Sequence, residues 1–317
     1  MSPLNLTLGG SALIIQPIVS SKKTSGKIAH SPASTGGETL GHRGMSILRS
    51  LLAQWRPPAR SPAPVLTLEQ YERYNPTATL VENGIDVLYC TPNLHTQWRA
   101  DSLFTKEPET IDWIRSFAPG EILVDIGANV GMYSIWAAKT RDVRVFAFEP
   151  ESQNYALLYR NIVANGLSSR VTGFCLALSD RRQYAELHLS MFLLGGSCHT
   201  FGEKLDYRLR PRESGVSQGS VSVTLDEMIA DGAIEVPHHI KIDVDGFEHK
   251  VLAGARQTLQ NTRLKSLLVE INTHLEQHLA LVAMLQSLGF HYSPEQVASG
   301  MRKSGDFEGC ANYVFRR

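Results

Sequence analysis

Along the chain, apolar positions follow two periods in alternation from Ile122 onward. Ile122-Leu123-Val124 is an unbroken apolar run of the kind that forms a strand buried on both faces, and Val130 to Lys139 follows with helical spacing. Val143 to Phe148 predicts a second strand, and Pro150 then marks a helix start, where its missing N–H costs nothing. Tyr155, Leu158, Tyr159 and Ile162 recur one helical turn apart until Gly166 supplies a stop. Val171 to Leu178 predicts a third strand, and Ile240-Lys241-Ile242 and Leu267-Leu268-Val269 predict two more. Val251, Leu252, Ala255 and Leu259 share one face of the helix between those last two. A final helix carries Leu281, Met284, Leu285 and Leu288 on one side, and Tyr313-Val314-Phe315 suits a closing edge strand. Strand and helix alternating in this way predict an α/β domain with a parallel sheet.

The remaining chain divides around this domain, which is placed at residues 121–317. Residues 1–64, rich in Ser, Gly, Thr, Pro and Ala, read as a disordered tail, dispensable for the fold. Residues 65–120 read as an extension packed on the domain, with a strand at Ile85 to Tyr89 and an amphipathic stretch at Ile111 to Phe117. Residues 180–237 form an insertion too long for a tight connection. It holds an alternating stretch at Tyr184 to Leu189 and a polar, glycine-rich run from Gly195 to Ser220, and it is expected to act as a substrate lid.

Composition narrows the function classes. The 317 residues carry 31 basic and 31 acidic side chains, so no bulk charge draws the chain to nucleic acid. Cys90, Cys175, Cys198 and Cys310 form no CxxC pair and suit a reducing, cytoplasmic setting. No apolar run reaches the roughly 18–20 residues that span a bilayer.

The candidate chemistry lies at strand ends. Asp125-Ile126-Gly127-Ala128-Asn129-Val130-Gly131 follows one strand and opens a helix, where open α/β sheets bind ligands. A dinucleotide fingerprint needs a glycine where Asn129 stands, which disfavours a nicotinamide oxidoreductase. S-adenosylmethionine lacks the pyrophosphate and fits better: Asp125 offers charge near its cationic end, and Gly127 and Gly131 keep the turn clear of side chains. Glu149 ends the second strand, placed to accept hydrogen bonds from ribose hydroxyls. Asp243, Asp245 and Glu248 follow the Ile240 strand, while Glu270 and Asn272 end the next. Two readings stay open there. Asp243, Glu270 and Asn272 form a set of hard oxygen ligands for a divalent cation such as Mg2+; alternatively, catalysis is metal-free, with Asp243, Glu248 and His249 as the candidate catalytic residues. Trp98, Arg99, Ser197, Cys198 and His199 are further candidates to line an acceptor pocket.

From about Asp101 to Asn272 the chain resembles the FkbM family of methyltransferases. The resemblance is carried by Lys106-Glu107-Pro108-Glu109-Thr110, Asp125 to Gly131, Phe148-Glu149-Pro150, Leu178-Ser179-Asp180, Thr224-Leu225-Asp226, Ile240 to Gly246 with Glu248, and Val269 to Asn272. It implies a Rossmann-like class I methyltransferase fold, a mostly parallel seven-stranded sheet with helices on both faces. It also implies S-adenosylmethionine as donor and O-methylation of a saccharide, lipid or secondary metabolite. By the same resemblance Ser179 and Asp180 fall where the adenine edge is contacted, and Ala128 and Asn129 within the cofactor loop. The expected partner is a small-molecule or glycan acceptor, with no nucleic acid. A non-catalytic cofactor-binding module and, further off, a nucleic acid methyltransferase are the alternatives.

Overall fold

In a computed structural model, residues 66–317 are described; the disordered tail expected before Val65 lies outside them. The central sheet is built from β3 (Ile122–Ile126), β4 (Arg144–Phe148), β5 (Val171–Phe174), β10 (His239–Ile242), β11 (Ser266–Asn272) and β12 (Cys310–Arg316), in the spatial order β12-β11-β10-β3-β4-β5. The first five run parallel, and β12 closes one edge antiparallel to β11. The order reverses at β3, with β4 on one side of it and β10 on the other. A ligand crevice belongs at that reversal.

The sheet has six strands, not the expected seven: outside β12, among the described residues, only an isolated antiparallel bridge between His291 and Arg316 forms, so no further strand is laid down at that edge. The apolar run from Val171 to Leu178, read as one strand, breaks after Phe174, and Ala177–Leu178 (β6) leaves the central sheet to pair with a second one. That second sheet takes its other three strands from the long insertion, in the order β6-β9-β7-β8, where β7 is Gln183–Leu189, β8 Thr200–Phe201 and β9 Val216–Val223.

Both faces of the central sheet are covered, which is why its strands read as continuous apolar runs. Leu123 and Val145 point into a core with the helices α4 (Met132–Arg141) and α5 (Ser152–Ala164), while Ile122, Val124 and Ile126 point into a core with α7 (Glu248–Ala253), α8 (Arg256–Gln260) and α9 (Glu276–Ser287). Short helices α6 (Leu225–Ala230) and α10 (Pro294–Gly300) complete the fold. The helix expected at Val130 starts at Met132, because Gly131 takes a left-handed φ of 85° as its N-cap.

The extension contains α1 (Leu68–Arg73), the hairpin of β1 (Thr77–Glu82) and β2 (Ile85–Cys90), α2 (Leu94–Asp101) and α3 (Pro108–Arg115). Asn83 and Gly84 turn the hairpin with φ of 51° and 78°, the left-handed pair favoured in two-residue turns. Buried Asn161 ties the extension to the domain: its Oδ1 accepts the Cys90 N–H at 2.7 Å and its Nδ2 donates to the Val130 carbonyl at 2.8 Å. No helix among the described residues is long and apolar enough to cross a membrane.

Candidate active site

A cavity of about 360 Å³ opens at the carboxyl ends of β3, β4, β10 and β11, within the roughly 300–1,000 Å³ of small-molecule sites. Gly127, Asn129, Glu149, Ser179, Asp243, Asp245 and Glu270 line it. Gly127 is required by close approach: at its φ of 80°, a Cβ would stand 1.9 Å from the Asp243 carbonyl oxygen. The two strand ends therefore meet through bare backbone, and the Asp243 N–H donates to the Ile126 carbonyl at 3.1 Å.

Glu149 is buried at the end of β4 and held by both oxygens. Oε2 accepts the Asn129 N–H at 2.8 Å, and Oε1 accepts the Glu151 N–H at 2.9 Å. Burial pushes its carboxyl up to about 7, even though these backbone bonds favour the charged form. Beside it, Phe148, Leu176 and Leu178 give the cavity an apolar wall. Over the opposite side lies the insertion. Asn129 Nδ2 and Asn154 Nδ2 both donate to the Gly196 carbonyl, at 2.6 and 3.0 Å, and Arg99 Nε donates to the Gly195 carbonyl at 2.7 Å.

The acidic groups differ sharply in environment. Asp243 is taken out of water, which alone would raise its carboxyl, but the Lys241 ammonium at 3.1 Å, with Lys106 and Arg302, holds it below the ordinary range. Asp245 has no such cation; burial first, then the Asp243 charge, push it up to about 7. Its backbone is left-handed, with a φ of 54°, and its Oδ2 accepts the Cys198 N–H at 2.7 Å. A non-glycine residue held there is a strained feature of the sort that collects at functional sites. Glu270 is raised chiefly by burial and by Asp243, against the pull of Arg302 at 2.9 Å.

The Methyltransferase FkbM domain family matches residues 125–292. The chain belongs to this family. It is an S-adenosylmethionine-dependent methyltransferase. Over 203 residues it is 28% identical to the 31-O-demethyl-FK506 methyltransferase FkbM of Streptomyces tacrolimicus, covering 56% of this chain and 75% of that protein. Over 197 residues it is 24% identical to the hexuronic acid methyltransferase AglP of Haloferax volcanii, covering 61% of this chain and 74% of that protein. A precorrin-6y C5,15-methyltransferase structure from Geobacter metallireducens overlaps 69% of this chain and 92% of its own, at 15% identity and a TM-score of 0.40, too loosely to carry an argument.

The glycine loop and Glu149 of this FkbM-family methyltransferase fit the donor they are expected to hold, since the loop is free of side chains at Gly127 and Glu149 keeps acceptor capacity toward the cavity. Other residues singled out from the sequence lie elsewhere. Asp125 is buried beneath the floor, where Oδ2 accepts the Ser134 hydroxyl at 2.6 Å and Oδ1 lies 3.8 Å from Lys241. Gly131 serves packing, because a Cβ there would meet Leu158 Cδ1 at 2.4 Å. Ala128 lines the smaller pocket beside the glycine loop and not the main cavity, and Asp180 lies beside Arg181 off the cavity wall. Glu248 is fully buried; it accepts the N–H groups of Val244 and Gly246 at 2.8 and 3.0 Å and faces His278 at 3.2 Å, so it braces the acidic loop and does not reach the cavity. His249 packs against Phe247 and His278, off the cavity wall.

The expected cation site does not fit either. The three carboxylates whose oxygens gather within 4.8 Å are Asp243, Asp245 and Glu270. Asn272 turns its Oδ1 to the His274 N–H at 3.0 Å. A magnesium ion would have to compete with Lys241 for Asp243 and with Arg302 for Glu270.

Sequence reasoning missed Lys241, Lys106 and Arg302. Lys241 carried a signal: it is a charged residue in the middle of an apolar central strand, and it is almost never possible to bury one unpaired. Lys106 and Arg302 reach the cavity from loops far apart in the chain, and nothing local marks Arg302.

Proposed function

We propose that the protein transfers a methyl group to a hydroxyl oxygen of a saccharide or hydroxylated secondary metabolite, with Asp245 as the proton acceptor. The relatives reported above are named for methylation of 31-O-demethyl-FK506 and of a hexuronic acid, which supports an oxygen-rich acceptor. The observation that carries the reading is the pair Asp243 and Asp245, two residues apart on one loop of one cavity. Their environments drive their carboxyls in opposite directions, and such a split assigns roles. Asp243, held as a carboxylate by Lys241, suits binding a cationic group. Asp245, titrating near neutrality, suits taking a proton as the hydroxyl attacks, since a general base works best when its pKa is close to the working pH.

When bound, S-adenosylmethionine supplies a methyl group already activated by its sulfonium. The protein's residues then have three tasks. Glu149 and the glycine loop would fix the nucleoside, the loop holding Gly195 and Gly196 would cover the cavity, and Asp245 would receive the hydroxyl proton as the methyl group's bond to oxygen replaces its bond to sulfur, the sulfur keeping the electron pair. Alignment alone supplies much of the acceleration.

A panel of methyl glucoside, methyl glucuronide and a hydroxylated macrolide, incubated with the donor, tests this through product mass and NMR. The expected product carries a new O-methyl group. Asp245→Asn should lower saturated turnover about 10²- to 10⁴-fold with unchanged affinity for S-adenosylhomocysteine. Methylation at nitrogen or carbon, or a fully active Asp245→Asn enzyme, would overturn the reading.

A further inference from the structure

A second, smaller pocket adjoins the cavity at the glycine loop. It is a pocket of about 50 Å³ that shares Arg99, Lys106, Gly127, Asn129 and Asp243 with the main cavity and adds Tyr133 and Lys241. A single water needs only about 10–15 Å³ of such space, so the pocket has room for a small polar group such as a carboxylate. The pocket is rich in cations, and their existing partners can be followed one by one.

Lys241 is committed to Asp243 and Asp125. Lys106 lies 2.6 Å from Glu107, but Glu107 also accepts the Tyr133 hydroxyl at 2.9 Å and lies 3.5 Å from Arg302, so one carboxylate serves two cations and a hydroxyl. Arg99 has no carboxylate partner among the described residues. Its Nε donates to the Gly195 carbonyl, which fixes the plane of the guanidinium and leaves both Nη groups unengaged. A planar, oriented fork of this kind matches a carboxylate. Asp243, on the same pocket, is kept charged by Lys241 at 3.1 Å, its one direct salt-bridge partner among the described residues.

We propose that Arg99, assisted by Lys106, holds the α-carboxylate of the cofactor's amino-acid end in this side pocket, with its α-ammonium on Asp243. The inference rests on the main cavity as the donor site and on Glu149 at the ribose. It makes the segment before the family domain part of the cofactor site, because residues 99 and 106 precede the matched 125–292.

Calorimetry with two probes tests it: S-adenosylhomocysteine, and 5′-methylthioadenosine, which keeps the nucleoside and thioether but lacks the amino acid. Arg99→Gln retains an N–H for the Gly195 carbonyl and removes the charge. Its dissociation constant for S-adenosylhomocysteine should rise about 10- to 150-fold, the loss of a hydrogen bond between charged groups, while that for methylthioadenosine stays the same. Lys106→Gln should show a smaller shift in the same direction. If Arg99 served only to hold the covering loop, both probes would weaken together, and the proposal would be overturned. A measurement on the unaltered protein guards against a misfolded variant: raising salt should narrow its preference for S-adenosylhomocysteine, and a preference indifferent to salt would also overturn the proposal. Failure of the donor-site reading itself looks different, since the unaltered protein would then bind neither probe.

Discussion

Replacing Gly127 by alanine tests whether the floor of the cavity depends on the backbone contact between the ends of β3 and β10. At the φ of 80° the added Cβ would lie 1.9 Å from the Asp243 oxygen and 2.9 Å from its carbonyl carbon, against 3.4 Å or more for an ordinary contact. Both neighbours are backbone, so no side chain can swing away. Relief requires the strand ends to part, which stretches the bond from the Asp243 N–H to the Ile126 carbonyl. A left-handed alanine costs about 1–2 kcal/mol, and losing that hydrogen bond adds about 0.5–1.5 kcal/mol. Gly84 provides a control within the same chain: its φ is 78°, and an added Cβ there meets nothing within 4 Å. Urea unfolding of the two variants should therefore show a loss of about 1–2 kcal/mol for Gly84→Ala and a clearly larger one for Gly127→Ala. Binding of S-adenosylhomocysteine should fall for Gly127→Ala alone, because Asp243 moves with the strand. Equal losses of stability, with normal binding in both variants, would refute the reasoning.

Four further outcomes follow from the same geometry. Glu149→Ala should weaken S-adenosylhomocysteine by about 1.5–3 kcal/mol in calorimetry, the scale of hydrogen bonds to a charged group. Glu149 titrates near 7 in the folded chain against an ordinary 4.5. Its contribution to stability is thus fully present below pH 4.5 and is lost as pH rises through 7, by on the order of 3 kcal/mol; Glu149→Gln should flatten the stability profile across that window, and identical slopes would count against it. Asn161→Ala removes the partners of the Cys90 N–H and the Val130 carbonyl and should cost at least about 2 kcal/mol in thermal or urea unfolding. Treatment with a chelator should leave the methylation rate unchanged, because Asp243 and Glu270 already have Lys241 and Arg302 as partners.

Much of the scaffold was legible because backbone geometry depends on spacing along the chain. Gly127 stands where a strand turns into a helix with no room for a side chain, and Glu149 ends the next strand, so both were readable from position. Apolar runs fixed the five parallel strands for the same reason. The break after Phe174 was not legible, since Ala177 and Leu178 are as apolar as the strand they leave and only the partner β9, some forty residues later, decides their pairing. The division of labour between Asp243 and Asp245 was hidden as well. It depends on which carboxylate Lys241 reaches, and alternation along β10 puts residues 241 and 243 on one face and leaves 245 to the turn. Glu248 and His249 looked chemical because of their types, yet the packing of α9 through His278 turns them to structural use.

Asn129 has a consequence for the order of events in turnover. Its backbone N–H belongs to the cofactor loop through Glu149, and its side chain latches the Gly196 carbonyl, where Asn154 also binds. The covering segment and the donor loop are therefore coupled through one residue. We expect any opening of that segment during turnover to break the bonds at Gly195 and Gly196 and to be felt at the donor loop, so that movement of the cover and release of spent cofactor are linked through this one side chain.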